Sequence, residues 1–489
     1  MKKICTSVLT LGVCLVGVLT TSQAGFNWEG FRAHNNIVAL ETPITSDETV
    51  LDWSTDITTG YDTLTNPIVV DDYIYAASAT NNQLVKMDKN GNIVDSVTMD
   101  GSIGYNGYIA YGDGKIFVCE AETLYDSSWN VTGTSSIVQA FDINTLTSVW
   151  VSEELGAPGS YEVVQSPIVY HNGYVYVGTA NPSLSSGSYI AITTSDENTA
   201  ETNEVKDIAW QYTPSTPSSY SWSGGCVVGD TIVFVNNVGE LTSCSLTDGT
   251  VLDVRQLNHP VSSSIVYDDG YLYFGTKDGW LIETQYESNT TFGGMNKIQL
   301  MSGGSITGTP TVYEGKIYLG GAVNASAFDS KGFVMIIDAN TYHIDYQAEV
   351  DGNVQSSMLV NTYYDGVYAY FTQNTEIGGV YCLAVENGEA SVREIYKPAE
   401  ELQNYCITSL ITDGDVLYHS NDSGNIMALS KAQSTSPVEP NPPVDETPTT
   451  PTTPVSGQNE IVKTGDVLNI GYPILGLIVG TLALKKQRK

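Results

Sequence analysis

Residues 166–179 read SPIVYHNGYVYVGT, and residues 263–276 read SSIVYDDGYLYFGT. Each stretch contains a small residue or proline, a short apolar run, a turn built on Asp, Asn or Gly, and an alternating run rich in Tyr and Val. Alternation of this kind predicts half-buried strands. An N-G or D-G pair between two such runs predicts a tight hairpin, because these residues tolerate the positive φ that the turn requires. Both stretches therefore predict two antiparallel strands.

The same pattern occurs eight times along the chain. The copies begin at Asn66, Gly107, Ser166, Gly225, Ser263, Thr309, Ser357 and Thr408. Successive copies begin 38 to 59 residues apart. A repeat of roughly this length with four strands per unit is typical of a β-propeller blade. The irregular copies at Gly225 and Ser357 leave a seven-bladed ring open as the alternative to eight blades.

The two ends of the repeat region are complementary. The strand Val50–Trp53 precedes the first copy without any strand to join, whereas the eighth copy stops at its third strand, Ile426–Leu429. We therefore expect an all-β fold, an eight-bladed β-propeller of four-stranded antiparallel blades over residues 49–431. In this arrangement the N-terminal strand closes the last blade, and closure removes exposed sheet edges.

The N-terminal residues predict export from the cell. Residues 1–24 have the basic start, apolar run and small final residues of a secretory signal peptide. Residues 25–48 form an N-terminal extension. Residues 432–460 are rich in Pro and Thr and predict an extended stalk, because they contain too few large apolar groups for a core.

Residues 461–489 predict an anchor. They contain the sequence Ile461-Val462-Lys463-Thr464-Gly465, an apolar run and the basic tail KKQRK. This order resembles the cell-wall sorting signal of Gram-positive bacterial surface proteins, which implies sortase cleavage between Thr464 and Gly465. The usual Leu and Pro are absent, so a plain transmembrane helix held by its basic tail is the alternative. Both interpretations place residues 25–460 on the extracellular face, attached to the cell wall (peptidoglycan) or the membrane by the C-terminus.

Charge and cysteine content exclude some classes of partner and site. The chain has 55 acidic and 20 basic side chains, a net charge of −35, which excludes nucleic acid and favours a soluble, monomeric propeller. Five cysteines follow the leader, and their odd number without a CxxC motif argues against a disulfide framework or a zinc site. We interpret them as small apolar strand residues, although Cys226 with Cys244, or Cys382 with Cys406, can form a pair. The five are Cys119, Cys226, Cys244, Cys382 and Cys406.

One stretch carries a family resemblance. Residues 140–150, AFDINTLTSVW, resemble the blade-packing motif A-x-D-x-x-T-G-x-x-x-W of pyrroloquinoline-quinone-like (PQQ-like) propeller repeats. Ala140, Asp142, Thr145 and Trp150 match, and Leu146 stands in place of the motif glycine. Weaker echoes occur at Asp88 to Gly91, Asp248-Gly249 and Ile336 to Thr341. The resemblance covers about residues 50–430 and implies turn and interblade packing roles for these positions.

The resemblance also implies what a quinone enzyme would need. Quinone-binding members of the family use calcium-binding acids, a catalytic Asp and often a disulfide between adjacent cysteines. None of these can be assigned in this sequence, so we expect no quinone cofactor. Many other members are noncatalytic scaffolds, including proteins of envelope assembly.

A search for other chemistry finds no catalytic or metal motif. The sequence contains no GxSxG, HExxH or Walker loop. The five histidines are widely spaced and predict loop or turn positions: His34, His171, His259, His343 and His419. Asp88–Asn92 faintly resembles a calcium loop, but the N-G turn of a hairpin explains it better.

Tyrosine is the residue type that favours binding, because it combines an apolar face with a polar tip. Six tyrosines lie near strand ends or turns: Tyr105, Tyr108, Tyr111, Tyr161, Tyr363 and Tyr364. We expect a noncatalytic surface protein that displays its propeller to an unknown protein or cell-wall glycan. The alternatives are an extracellular enzyme, quinone-dependent or with an unrecognised site, and a structural wall component without a ligand.

Overall fold

The computed structural model describes residues 26–38, 49–58, 64–103, 107–125, 131–156, 162–181, 183–287, 291–363 and 366–432. The chain divides into two compact units, Met1–Gln433 and Ser434–Lys489, and every described residue belongs to the first. The predicted leader, residues 433–460 of the predicted stalk, and the predicted anchor with Thr464 and Gly465 lie outside the described residues. Within the described ranges, no helix has the length and apolar character of a membrane span.

The described strands form eight sheets, and the fold is an eight-bladed β-propeller. The N-terminal part holds a 3₁₀ turn at Ala33–Asn36, β1 at Ile37–Val38 and β2 at Thr49–Asp56. Blade 1 consists of β3 (Ile68–Val70), β4 (Tyr73–Ser78), β5 (Gln83–Asp88) and β6 (Ile93–Thr98). Blade 2 consists of β7 (Ser102–Ile103), β8 (Ile109–Gly112), β9 (Lys115–Tyr125), β10 (Val131–Asp142) and β11 (Ser148–Ser152).

The next blades follow the same order. Blade 3 consists of β12 (Val163–Val164), β13 (Val169–His171), β14 (Tyr174–Ala180), β15 (Tyr189–Thr193) and β17 (Ile208–Tyr212). The strand between β15 and β17 along the chain, β16 (Glu204–Lys206), pairs with β11 of blade 2. Blade 4 consists of β18 (Cys226–Val228), β19 (Thr231–Val235), β20 (Glu240–Ser245) and β21 (Val251–Gln256). Blade 5 consists of β22 (Val266–Asp268), β23 (Tyr271–Gly275), β24 (Trp280–Tyr286) and β25 (Phe292–Gln299).

The last three blades complete the ring. Blade 6 consists of β26 (Thr311–Tyr313), β27 (Lys316–Ala322), β28 (Gly332–Asp338) and β29 (Ile344–Val350). Blade 7 consists of β30 (Leu359–Tyr363), β31 (Gly366–Thr372), β32 (Val380–Glu386) and β33 (Glu389–Tyr396), followed by a 3₁₀ turn at Glu400–Leu402. Blade 8 consists of β34 (Ile411–Thr412), β35 (Leu417–Ser420), β36 (Asn425–Lys431) and β2.

The ring closes as the sequence predicted. β2 lies antiparallel to β36, with Leu51 opposite Leu429 and Trp53 opposite Ala428. The irregular copies at Gly225 and Ser357 form complete blades, blades 4 and 7. The count of eight is therefore confirmed over the seven-bladed alternative.

The hairpins between the two inner strands of each blade explain the repeated turn residues. Both residues of the pairs Asp113-Gly114, Asn172-Gly173, Asp269-Gly270 and Glu314-Gly315 have positive φ. Two consecutive residues with positive φ define the type I′ turn, whose twist matches the twist of paired strands. These turns lie on one side of the ring, which we call the hairpin face. The opposite side, where loops lead into the innermost strands, is the loop face.

Blade junctions use one recurring contact between a tryptophan and the next blade. The indole Nε1 of Trp53 donates to Lys89 O at 2.9 Å, and that of Trp210 donates to Leu246 O at 2.9 Å. A Cβ at Gly91 or at Gly249 would lie 2.6 or 2.7 Å from the ring of its tryptophan, so only glycine fits beneath the indole. Trp53 of blade 8 thus docks on blade 1 and joins the two ends of the chain.

Candidate functional site

The loop-face mouth of the channel is lined by the residues that begin the innermost strands. At four junctions, the backbone N–H of such a residue donates to a side-chain oxygen of the next blade: Gly224 to Ser264 (2.9 Å), Ser264 to Thr309 (3.1 Å), Ser357 to Ser409 (2.9 Å) and Ser409 to Asn66 (2.9 Å). The inner strands converge here, so small side chains with one acceptor fit where larger ones would clash. This belt fixes the positions of the residues around the mouth.

The N-terminal extension crosses the channel on the hairpin-face side of this belt. Trp28 exchanges two backbone hydrogen bonds with Val69 of blade 1, at 2.7 and 3.0 Å. At the other end Asn36 Nδ2 donates to Ser357 Oγ at 2.9 Å, and β1 pairs in parallel with β30 of blade 7. Residues 26–38 therefore form a strap, a name we keep below, that spans from blade 1 to blade 7.

A pocket of about 40 Å³ remains at the loop-face mouth, above the strap. Three aromatic side chains line it, Phe31, Tyr108 and Trp222. The rings of Phe31 and Tyr108 meet edge to face, with centroids 5.3 Å apart. The polar lining consists of Asn66, Thr307, Thr309, Gln355, Thr408 and Ser409. A volume equal to a few water molecules accepts only the end group of a ligand, so the rest of a larger ligand would lie on the loop face.

The pocket is chemically neutral. Its remaining lining residues are Leu64, Gly107 and Ile407, so the lining contains no Asp, Glu, His, Lys or Arg. Burial raises the pKa of Tyr108 well above its usual value, which keeps this phenol protonated. Such a surface can stack on an apolar face and exchange hydrogen bonds, but it offers no group for general acid–base catalysis near neutral pH.

The pocket contains a residue with an unfavourable backbone conformation and a hydroxyl without a described hydrogen-bond partner. Trp222 has a φ of +64°, an unfavourable conformation for a bulky residue, and its N–H donates to Gln165 O at 2.9 Å. Strained residues of this kind cluster at ligand sites. The buried hydroxyl of Thr307 has no hydrogen-bond partner among the described residues, so a ligand can supply one.

An exposed aromatic pair lies on the same face, between blades 6 and 8. Phe328, in the loop between β27 and β28, is 77% exposed, and its ring lies 5.7 Å from that of Tyr405. Tyr405 OH donates to Glu376 Oε1 at 3.4 Å. The sequence analysis missed this pair, since a single Phe in a polar loop has no periodic signal. Together with the pocket, it gives the loop face two aromatic contact points.

The predicted tyrosine platform is only partly assembled here. Tyr108 lies in the pocket, whereas Tyr111 lines a separate cavity on the hairpin-face side of the strap. Tyr105, Tyr161 and Tyr364 lie outside the described residues, and the side chain of Tyr363 is not described.

The motif residues lie at blade turns and junctions, away from this pocket. Asp142 Oδ1 accepts hydrogen bonds from the N–H of Asn144 and of Thr145, and from the Thr145 hydroxyl, at 2.9 to 3.0 Å. Trp150 is fully buried opposite Ala140, and its indole donates to Thr194 O of blade 3 at 3.3 Å. Leu146 has a φ of +49°, which explains why glycine is the motif residue there.

The weak calcium-loop resemblance corresponds to a hydrogen-bonded turn. The Asn92 side chain donates to Asp88 Oδ2 at 2.9 Å, and the N–H groups of Asn92 and Asn90 donate to Asp88 Oδ1, both at 2.9 Å; these bonds lower the pKa of Asp88. Gly91 takes the positive φ. In the described ranges, no group of three or more His, Cys, Asp or Glu side chains is placed to hold a metal ion.

The cysteines and histidines are separate from the pocket. The five described cysteines are free thiols, so neither possible pair is formed. Burial raises the pKa of Cys226 and Cys406 to about 11, which disfavours the reactive thiolate. His259 Nδ1 lies 2.8 Å from Asp278 Oδ2, and His419 is buried with Nε2 2.8 Å from Gly378 O. The side chain of His34 is not described.

Glu120 is a buried carboxyl group that the sequence did not single out. Burial raises its pKa to about 7, although its Oε2 accepts the Gly101 N–H at 2.5 Å. Perturbed carboxyl groups often mark active sites, but Glu120 lines neither the pocket nor the cavity below the strap. No nucleophile, base or metal ligand accompanies it among its described hydrogen-bond partners.

Comparisons with known proteins give the fold but no family. No protein-family model matches this chain, and no curated protein matches its sequence. Similar solved structures include the quinohemoprotein alcohol dehydrogenase ADHIIG from Pseudomonas putida HK5, with 11% identity, a TM-score of 0.59, and coverage of 86% of this chain and 82% of that one. BamB from Moraxella catarrhalis has 13% identity and a TM-score of 0.52 over 79% of this chain and 99% of that one. The computationally designed Ika8 protein has 10% identity and a TM-score of 0.52 over 82% and 99%.

The residues of the pocket do not fit the quinone and calcium of the quinone-binding propellers that the sequence resembles. Calcium takes six to eight oxygen ligands, and carboxylates are usually among them. The pocket lining contains no carboxylate. The described cysteines include no adjacent pair. We therefore derive no step through a quinone.

Proposed function

We propose that this protein is a noncatalytic binding propeller on the extracellular face of the cell, which holds a protein or glycan at its loop face. The neutral pocket formed by Phe31, Tyr108 and Trp222 with hydroxyl and amide groups is the observation that carries the proposal. Sugars and peptide ends both offer an apolar face and hydrogen-bonding edges to such a surface. The enzyme alternative has less support, because the lining supplies no acid, base or metal ligand.

The position outside the cell is part of the proposal. It rests on the predicted leader and on the order of Thr464-Gly465, apolar run and basic tail. We expect muramidase digestion to release protein that ends at Thr464, detected by mass spectrometry of the released material. Recovery of the intact tail through Lys489 in detergent extracts, with none released by muramidase, would identify a plain membrane anchor instead.

A binding screen with one pocket variant tests the function. Cell-wall glycan fragments and peptides are titrated against the purified protein and against Trp222→Asn, which removes the indole. Asn is chosen because it is among the non-glycine residues that adopt positive φ most readily. Loss of one aromatic contact should weaken binding about 5- to 150-fold, because an aromatic stack is worth about 1–3 kcal/mol.

Tyr271→Ala is the matched control, since Tyr271 is 37% exposed but follows a turn on the hairpin face. We expect the control to bind as the unaltered protein does. Equal binding by all three proteins, or chemical conversion of a bound fragment, would contradict the proposal.

A further inference from the structure

The strap forms one wall of a second cavity, separate from the proposed binding pocket. This cavity of about 320 Å³ lies on the hairpin-face side of the strap and is bounded by the inner strands of blades 2 to 5. Phe31 lines both spaces, so the strap is the partition between them. Its size would accommodate a small organic acid or a phosphate with some water.

Arg32 is the positively charged residue that lines this cavity. The sequence contains only four arginines: Arg32, Arg255, Arg393 and Arg488. Five described cations form ion pairs with carboxylates: Lys89, Lys206, Lys316, Lys331 and Arg393. Among the arginines, Arg393 has such a partner, Glu386. Arg32 has none, because no ion pair of the described residues includes it.

The hydrogen bonds of Arg32 leave most of its donors unused. Nη1 donates to Pro310 O at 2.5 Å and Nη2 to Asn35 O at 3.0 Å. A guanidinium has five N–H donors, so about three have no partner among the described residues. Both bonds go to backbone carbonyls, which carry no charge to neutralise the guanidinium.

The surroundings of the guanidinium disfavour an uncompensated charge. Arg32 is partly buried, and this burial lowers its pKa to about 9, while the Cys226 side chain acts in the opposite direction. Glu29 also lines the cavity but is exposed and forms no ion pair with Arg32. A charge removed from water is stabilised when a counter-ion supplies the missing partner.

The backbone around Arg32 is also held in an unfavourable conformation. Arg32, Asn35 and Asn36 have φ values of +58°, +56° and +59°. Hydrogen bonds at the two ends of the strap, to blades 1 and 7, maintain this conformation. Three residues with positive φ therefore lie within five positions. The surrounding fold, rather than local conformational preference, sets the backbone that carries the Arg32 side chain.

We propose that Arg32 and the cavity below the strap form a binding site for a small oxyanion, a carboxylate or a phosphate. The planar fork of an arginine matches both groups through paired N–H···O bonds. This site is independent of the proposed ligand pocket, because it lies on the other side of Phe31 and uses charge instead of aromatic stacking.

The test measures thermal unfolding of the full mature protein in acetate, inorganic phosphate or chloride at equal ionic strength. An anion that binds only the native state raises the midpoint in proportion to the logarithm of its concentration above Kd, by about 3 °C at a hundredfold excess. We expect a rise with acetate or phosphate over chloride, and we expect Arg32→Gln to abolish it. The anion that gives the rise identifies the chemistry of the ligand.

Three further variants keep the test decisive. Arg255→Gln is the matched control, since Arg255 also donates to two backbone carbonyls, Gly293 O and Phe292 O, but lies on the outer strand β21. It should retain the rise, and so should Trp222→Asn, which separates this site from the pocket. Arg32→Lys keeps the charge without the fork and should weaken binding about tenfold, which covers the case in which Arg32→Gln does not fold. No rise over chloride in the unaltered protein, or the same rise in Arg32→Gln, would overturn the proposal.

Discussion

At the scale of single residues, the blade junctions show how one position adapts to its neighbour. Gly91 and Gly249 lie beneath Trp53 and Trp210 of the preceding blade. In blade 2, Leu146 occupies the corresponding turn position. The preceding blade, blade 1, has Asp95, opposite Lys86, at the strand position where blades 3 and 8 have the tryptophan. Leu146 is 2% exposed and packs with the apolar residues between the two blades. A large side chain therefore occupies the space that an indole fills elsewhere.

Gly91→Ala tests the junction that closes the ring. The new Cβ would lie 2.6 Å from the ring of Trp53, at a φ of +80°. Gly114→Ala is the control, because Gly114 has a φ of +71° and nothing within 4 Å of its Cβ position. Denaturant unfolding should show a loss of about 1 kcal/mol for the control and about 1–3 kcal/mol more for Gly91→Ala. Equal losses would mean that the tryptophan contact does not constrain this glycine.

His419 gives a prediction about pH. It is 1% exposed, and burial lowers its pKa from an ordinary value of 6.5 to about 4. The unfolded chain therefore binds a proton that the folded protein rejects, so stability is lost as the pH falls from about 6.5 to about 4. The loss approaches about 1.4 kcal/mol per pH unit from this residue.

The measurement compares His419→Gln with the unaltered protein. Gln can still donate to Gly378 O but does not titrate. The decline of the melting temperature between pH 6.5 and 4.5 should become shallower in His419→Gln, whereas His343→Gln, an exposed control, should keep the original slope. An unchanged slope in His419→Gln would show that other groups cause the acid sensitivity.

At the scale of secondary-structure elements, β2 is the element that makes the ring continuous. Its eight residues, Thr49–Asp56, complete blade 8, and Trp53 reaches blade 1. Deleting residues 25–56 should abolish the single cooperative unfolding transition, because it opens the ring and exposes the edge of β36. Deleting residues 25–38 alone removes the strap but keeps β2, so cooperative unfolding should persist. Matching transitions for both deletions would contradict the role of β2.

The sequence predicted the elements that local patterns encode. Eight hairpins with turn residues at fixed positions gave the blade count, and the unmatched strands at the two ends gave the closure. It did not predict β16, which lies in parallel beside β11 and covers the edge of blade 2. It did not predict β1 beside β30 either. These contacts join segments far apart in the chain and have short strands of two or three residues, so no periodic signal identifies them.

At the scale of the whole molecule, the proposed function rests on the channel. Its innermost strands bring together residues from the strap and from six blades, and no local motif contains more than two of them. For this reason only Tyr108 of the pocket was selected from the sequence. The hydroxyl belt and the strap leave a neutral pocket at one mouth and a cavity with an arginine at the other. The two spaces predict two different ligand chemistries in one ring.

The most direct test of the central claim is hydrogen–deuterium exchange of the purified protein with and without the glycan or peptide selected by the binding screen. We expect slower exchange in the loops that contain Trp222, Thr307 and Ile407, no change in the hairpin turns at Asp113-Gly114 and Asp269-Gly270, and recovery of the ligand chemically unaltered. Protection confined to the hairpin face or to the outer strands, or a converted ligand, would contradict the central claim.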